Sequence, residues 1–192
     1  KVDFRDAQFR YAPDWPEVTN ASGQLVFSGP SLYTVQNSAR VAGIDVRNVS
    51  AQIADLRDGI VELEASANTD LSKVLNFLPH SPVRNVTGAV LEDVQASGPA
   101  TGQIKLRLPI RDMGSWALDG YLDTRDSSLS LTGLDFGFTG FTGRATLDRT
   151  RITVSDATAE LFAVPVTLSV TPLIDLESDN VHRAVVSGTF DI

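Results

Sequence analysis

The sequence contains no cysteine, which removes disulfide bonds, thiol catalysis and zinc–thiolate sites from consideration. A chain without cysteine suits an oxidising compartment such as a bacterial periplasm, where stray thiols are oxidised. Long apolar runs are also missing. The longest, Leu161 to Val166, is far short of the roughly 20 residues that cross a bilayer, so no segment of this chain is predicted to span a membrane.

Positive charge is scarce as well. Sixteen Lys and Arg residues face 24 Asp and Glu residues, which gives a formal net charge of −8. The basic residues are scattered singly, whereas nucleic-acid binding needs a basic footprint that displaces counterions from phosphates. We therefore expect a solvated acidic surface, no nucleic-acid partner and no adsorption onto an anionic membrane surface.

Catalytic motifs are absent too. The chain has no Gly-x-Ser-x-Gly elbow, no phosphate-binding glycine loop and no His-Glu-x-x-His pair. Its two histidines, His80 and His182, lie far apart without metal-ligand spacing, so we expect no metal and no cofactor. A Ser-His-Asp triad stays open at this point, because such triads are defined in space and not in sequence.

Acidic residues occur in small groups that invite comparison with the carboxylate pairs of glycosidases. Glu62 and Glu64 are expected on one solvent-facing side of a strand, and Asp55 and Asp58 flank a predicted turn. The acidic stretch 175–179 lacks the regular spacing of a calcium-binding EF-hand loop. A solvated surface is the favoured interpretation of each group.

What the sequence does contain is alternation of apolar and polar residues in short runs separated by Gly, Pro, Asp and Asn. One apolar and one polar face per strand is typical of antiparallel sheets. Asp58-Gly59 between two such runs predicts a tight turn. Strands are predicted at 2–11, 22–28, 32–36, 38–46, 48–56, 61–68, 103–108, 115–123, 127–132, 134–147, 150–156, 158–171 and 182–190.

One segment follows a different period and predicts a short helix over 70–78. Thr69 or Asp70 can cap its start, and Pro79 follows its end. The helix either packs over the sheet or closes one end of a ligand groove. Its apolar residues recur at positions i, i+3, i+4 and i+7: Leu71, Val74, Leu75 and Leu78.

A weak internal similarity relates residues 18–46 to residues 138–166. Gly, Ala and Val recur with the same spacing at Gly23 and Gly143, Ala39 and Ala159, and Val46 and Val166. Any alternating β sequence partly matches itself, so chance and a true repeat both stay open. A true repeat would mean a sheet unit that stacks end to end within one elongated β-rich module spanning 1–192.

The alternation does not settle how the apolar strand faces are hidden from water. A closed barrel or sandwich covers them with protein, whereas an open, curved sheet leaves them lining a trough that marks a binding surface. Residues 159–170 are apolar on both faces of the predicted strand. Such a strand is buried on both sides or touches an apolar ligand on one.

Several segments resemble the YhdP branch of the AsmA-like proteins. They are Phe4 to Pro16 with the following strand Gly23 to Phe27, Ser38 to Ile44, Val49 to Asp55, the helix Asp70 to Leu78 with Ser81-Pro82, and Gly98 to Pro109. The resemblance implies a long periplasmic β-groove, anchored in the inner membrane of a Gram-negative bacterium and implicated in moving phospholipid towards the outer membrane. It implies no catalytic residues, and it makes this chain an interior periplasmic segment that adjoins other β segments of the same parent chain.

On this interpretation the fold is mainly β, an antiparallel, curved and open sheet of repeating groove-like units with one short helix. Phospholipid acyl chains are the expected ligand, because each CH₂ left in water costs about 0.8 kcal/mol. Two alternatives stay open: a closed structural or protein-interaction module, and an unrecognised glycan-acting enzyme. The residues predicted to line the groove are Ile104, Leu106, Leu108, Phe162, Val164, Val166 and Leu168.

Overall fold

The computed structural model describes residues 1–12, 14–84, 91, 93–133, 135–148, 151–172 and 182–188. Within them the chain is mainly antiparallel β with one α-helix, α1 (Leu71–Phe77), as predicted. The strands are β1 (Val2–Phe9), β2 (Val18–Ser28), β3 (Ser31–Val41), β4 (Ile44–Ile53), β5 (Ile60–Asp70), β6 (Val94–Ser97), β7 (Pro99–Pro109), β8 (Ala117–Leu131), β9 (Gly137–Asp148), β10 (Arg151–Leu161), β11 (Val164–Pro172) and β12 (His182–Gly188).

Neighbouring strands follow the order β1-β2-β3-β4-β5-β7-β8-β9-β10-β11-β12, and β6 pairs with β8. Among the described strands, β1 and β12 stand at the two ends of this order, so the sheet is open. The described residues divide into two compact units. The first comprises Lys1–Asn68 and Gly102–Gly120, and the second comprises Thr69–Thr101 and Tyr121–Ile192.

A β-bulge in β4 keeps its apolar side chains on one face. Ile44 and Val46 are buried or half-buried, the next two residues, Arg47 and Asn48, are both exposed, and burial resumes at Val49. Asn48 has a φ of 50°, in the left-handed region that Asn tolerates better than most residues. Two residues of the bulge therefore oppose one on the partner strand, and the apolar phase continues beyond it.

β-Bulges also explain the main errors in the predicted strand boundaries. The alternation changes phase near Asn48 and Asp126, where the sequence predicts strand ends, yet β4 and β8 continue through these positions as bulged strands. The predicted breaks after residues 36 and 46 are therefore wrong, and β3 and β4 meet instead at the turn Ala42-Gly43. The predicted turn near Asp58 is confirmed, with Gly59 at a φ of 64°.

Each unit has its own packed residues. In the first unit Trp15 is 5% exposed, and its ring centroid lies 5.7 Å from those of Tyr11 and Trp116. Burial raises the pKa of the Tyr11 hydroxyl. In the second unit a core cluster joins β9, β10 and β11 through Phe138, Phe141, Ala157, Ala159 and Val166.

The predicted helix is confirmed at Leu71–Phe77, with Asp70 as its N-cap. One Asp70 carboxylate oxygen accepts hydrogen bonds from the Ser72 hydroxyl (2.6 Å) and the Ser72 N–H (2.9 Å), and the other accepts one from the Gly98 N–H (3.1 Å). These hydrogen bonds lower the pKa of Asp70. Leu71 is buried and donates its N–H to the Gly98 carbonyl, which fixes the start of the helix within the second unit.

Replacing the cap (Asp70→Ala) is expected to lower the unfolding temperature in a pH-dependent way. Because the folded state depresses the pKa of Asp70, its stabilising contribution is present above the unfolded value of about 3.9 and is lost as the pH falls through the folded value. The gap between wild type and variant, followed by circular dichroism, should stay constant from about pH 7 to 5 and narrow below about pH 4. The exposed Asp14→Ala variant is the control, and a pH-independent gap would contradict the capping role.

Deleting Asn48 is expected to be tolerated better than deleting Ser50, two residues along the same strand. Without Asn48 the pairing of β4 with β5 becomes regular, and the apolar residues of β4 on either side of the deletion keep their face. Without Ser50, apolar residues must move to the polar face, because side chains alternate along a strand. The second deletion should lower the unfolding temperature by roughly 5 °C or more relative to the first. Equal losses would argue against this account of the bulge.

Candidate functional site

The apolar residues of the first unit share one face of its sheet, because directly opposed residues of antiparallel strands point to the same side. Leu25 opposes Thr34, Leu32 opposes Ile53, and Ala51 opposes Leu63. The bulges in β1, β2 and β4 keep this alignment over the whole strand length. We call this surface the first apolar face, and its representative residues are Phe4, Leu25, Leu32, Val46, Ala51 and Leu63.

Much of the first apolar face is accessible. Phe27 is 56% exposed, and Leu25, Leu32 and Val46 are only half-buried. A single exposed apolar residue needs no explanation, whereas a large contiguous apolar surface on a monomeric protein usually marks a binding site. The arrangement provides a hydrophobic contact surface that extends across neighbouring strands.

The opposite face of the same strands is largely polar, although Val26 is buried there opposite Tyr33. Lys105 Nζ lies 2.8 Å from Glu64 Oε1, and Gln52 Nε2 donates to Glu62 Oε2 at 2.9 Å. The hydrogen bond to Glu64 raises the pKa of Lys105. Such exposed pairs add little stability. They do keep this face hydrated, so the sheet presents one apolar surface and one surface that prefers water.

The three candidates on β7 alternate with exposed charges as predicted. Ile104 is half-buried, whereas Leu106 and Leu108 are buried at 6% and 3% exposure, and the intervening Lys105 and Arg107 are exposed. Leu106 and Leu108 thus pack against protein in the first unit. Of the three, Ile104 retains the most accessible surface, and a lipid-lining role for any of them stays a prediction.

The candidates of the second unit divide between a strand and a turn. Val164, Val166 and Leu168 share one face of β11, where Val166 belongs to the core cluster and Leu168 packs against it. Phe162 is different. The predicted strand over 158–171 is wrong at this point, because Phe162 and Ala163 form the turn between β10 and β11 with φ values of 52° and 62°.

The Phe162 side chain is 72% exposed, and its ring centroid lies 5.6 Å from that of Phe136. The strands of the second unit carry a further, half-buried apolar surface. We call it the second apolar face. Its representative residues are half-buried and lie on β9, β10 and β11: Ala145, Leu147, Ile152, Leu161, Leu168 and Val170.

The acidic residues and histidines considered as catalytic or metal-binding groups are dispersed. Glu62 and Glu64 lie on the polar face as expected, and Asp55 forms an ion pair with Arg57 that lowers the pKa of Asp55. His80 donates from Nδ1 to the Asn76 carbonyl at 2.9 Å. Across the described ranges no three His, Asp or Glu side chains converge on a possible metal position. Residues 175–179 and the His182 side chain lie outside the described part.

A family model described as YhdP protein matches residues 1–192. The chain belongs to the YhdP family. This YhdP-family chain is 24% identical over 164 residues to the intermembrane phospholipid transporter YhdP of Escherichia coli (strain K12), an alignment that covers 85% of the chain. It spans only 13% of the length of that relative, and no solved structure matches it.

No helix in the described ranges of this YhdP-family chain is long and apolar enough to cross a membrane. Phe162, the most exposed large apolar residue among the described ones, was a predicted candidate, but other exposed apolar positions were not predicted from the sequence. They include Phe27, together with Val2 and Phe9 on β1. The alternation of Gly23 to Phe27 marked this region, but periodicity carries no measure of exposure.

Proposed function

We propose that this chain is a segment of a periplasmic phospholipid conduit, in which its apolar faces hold acyl chains while headgroups stay in water. One observation carries the proposal: an open antiparallel sheet with a continuous, half-buried apolar face and a hydrated polar face. The relationship to a phospholipid transporter supports the choice of ligand. Neighbouring β segments of a parent chain anchored in the inner membrane extend the path towards the outer membrane.

The energetics of this role require no catalytic group. An acyl chain exposed to water costs about 0.8 kcal/mol per CH₂, which amounts to the order of 10 kcal/mol for a whole chain. A continuous apolar face lowers that cost at every step of the path. The proposed role is therefore passive conduction that supports outer-membrane integrity, without enzymatic turnover, metal or cofactor.

The proposal is tested by native mass spectrometry of the purified chain mixed with phosphatidylethanolamine. Wild type is expected to bind lipid in a defined stoichiometry. Ile104→Asp should weaken binding at least about tenfold, because an acyl chain beside a carboxylate forces costly desolvation of that charge. Gln103→Asp is the matched control, since this neighbour on β7 is exposed on the polar face.

Both variants must keep the wild-type circular dichroism spectrum. A wild-type protein that retains no lipid after purification and takes up none when it is added would contradict the proposal and favour a structural or protein-interaction module. Equal binding by both variants would show that Ile104 does not contact lipid.

A further inference from the structure

We propose that the chain holds two equivalent phospholipid sites, one on the apolar face of each unit, created by an internal duplication with an offset of 120 residues. This inference rests on the proposed function and adds to it the number of sites and the correspondence between their residues. The duplicated element comprises β1 to β4 in the first unit and the second half of β8 with β9, β10 and β11 in the second.

Left-handed backbone conformations recur at this offset. Few residues other than glycine adopt them, so their coincidence is independent of apolar–polar alternation. Two positions mark bulges and two mark a hairpin turn. The matching pairs are Asp6 and Asp126 (51° and 50°), Asn20 and Gly140 (51° and 62°), Ala42 and Phe162 (48° and 52°), and Gly43 and Ala163 (79° and 62°).

Strand pairing recurs in the same register. The β2–β3 hairpin runs from Val18 opposite Val41 to Ser28 opposite Ser31. The β9–β10 hairpin runs from Phe138 opposite Leu161 to Asp148 opposite Arg151, and each of these four residues lies 120 positions later. The next hairpins agree as well near their turns, since Ala39 opposes Val46 as Ala159 opposes Val166.

Side-chain contacts at the bulges repeat too. The Asp6 N–H donates to Ser22 Oγ at 3.2 Å, and the Asp126 N–H donates to Thr142 Oγ1 at 3.0 Å. In both units the bulged backbone therefore finds its partner in a hydroxyl of the neighbouring strand. Because 22 and 142 also differ by 120, the duplication extends to the hydrogen bond that satisfies the bulge.

A close contact of glycine with the next strand also recurs. A Cβ atom on Gly23 would lie 1.8 Å from Asn37 Oδ1, and one on Gly143 would lie 2.5 Å from the Ala157 Cβ. Asn37 and Ala157 are again 120 residues apart. At both positions a Cβ atom would therefore meet the corresponding residue of the next strand.

The two copies differ in length by one residue. Asn37 opposes Val49 in the first unit, whereas Ala157 opposes Leu168 in the second, so β11 lacks the extra residue that β4 accommodates as the Asn48 bulge. This residue is exposed on the polar side. The two apolar faces therefore correspond despite the difference in length.

Each unit is long enough for the tails of one phospholipid. At a spacing of about 4.8 Å, five neighbouring strands extend about 20 Å across their width. The hydrocarbon of one bilayer leaflet is about 15 Å thick, half of the roughly 30 Å apolar core. Each face offers half-buried apolar contacts at corresponding positions: Leu25 and Ala145, Leu32 and Ile152, and Val41 and Leu161.

The test is the stoichiometry of phosphatidylethanolamine on the whole chain, measured by native mass spectrometry. Wild type should carry two lipids. Leu32→Asp and Ile152→Asp should each carry one, and the double variant none. The matched controls Ser38→Asp and Thr158→Asp lie on the same two strands, 120 residues apart and exposed on the polar face, and should keep both lipids.

Two results would overturn the proposal while leaving the proposed function intact: a single lipid on wild type, or loss of all lipid from either single variant. Absence of lipid from wild type would overturn the proposed function and the two-site proposal together. Because a charged variant can fail to fold, single cysteines (Leu32→Cys or Ile152→Cys) in this cysteine-free chain provide a second measurement. An environment-sensitive dye at either position should shift to the blue at the same lipid concentration, and a shift at only one would contradict equivalence.

Discussion

The whole arrangement depends on keeping apolar side chains on one face of an open sheet. Side chains alternate strictly along a strand, so a slip of one residue would transfer an entire apolar set to the polar face. The chain meets this constraint with bulges, which absorb an extra residue at positions such as Asn20 and Asn48 without changing the phase on either side. Asn, Asp and Gly occupy these sites because the left-handed conformation is least costly for them.

The same constraint explains why one face of the sheet is apolar and the other carries the charged residues. Bulges place both of their exposed residues on the polar side, as Arg47 and Asn48 show, so the apolar side continues without an interruption. On the polar side of the second unit, Arg144 pairs with Asp123 and lies 4.3 Å from the Tyr121 ring centroid. Such contacts satisfy charged groups in water while the apolar side remains accessible.

The sequence predicted the fold class and the helix because both have local causes. Alternation marks an antiparallel strand, and Asp70 before an i, i+3, i+4 apolar pattern marks a capped helix. Its failures also have a local cause. In the sequence a bulge looks like a strand end, so the predictions divided β4 and β8 at their bulges. The turn at Phe162 and Ala163 contains no Gly, Pro, Asn or Asp, so the sequence predicted one continuous strand across β10 and β11. The solvent exposure of each apolar residue could not be predicted, because the alternation is the same whether protein or ligand covers the apolar face.

The partial exposure of the apolar faces bears on how the proposed conduit would work. A deep pocket would fix one lipid by many specific contacts, and each would have to break before the lipid moved on. Half-buried residues such as Leu25, Leu32 and Val46 offer similar, non-directional contacts on successive strands, about 4.8 Å apart. In the proposed conduit, a tail that leaves one strand gains a comparable contact on the next, so movement along the face would cost little net free energy. A sheet that repeats its own register is suited to that task, because repetition keeps the contact surface uniform.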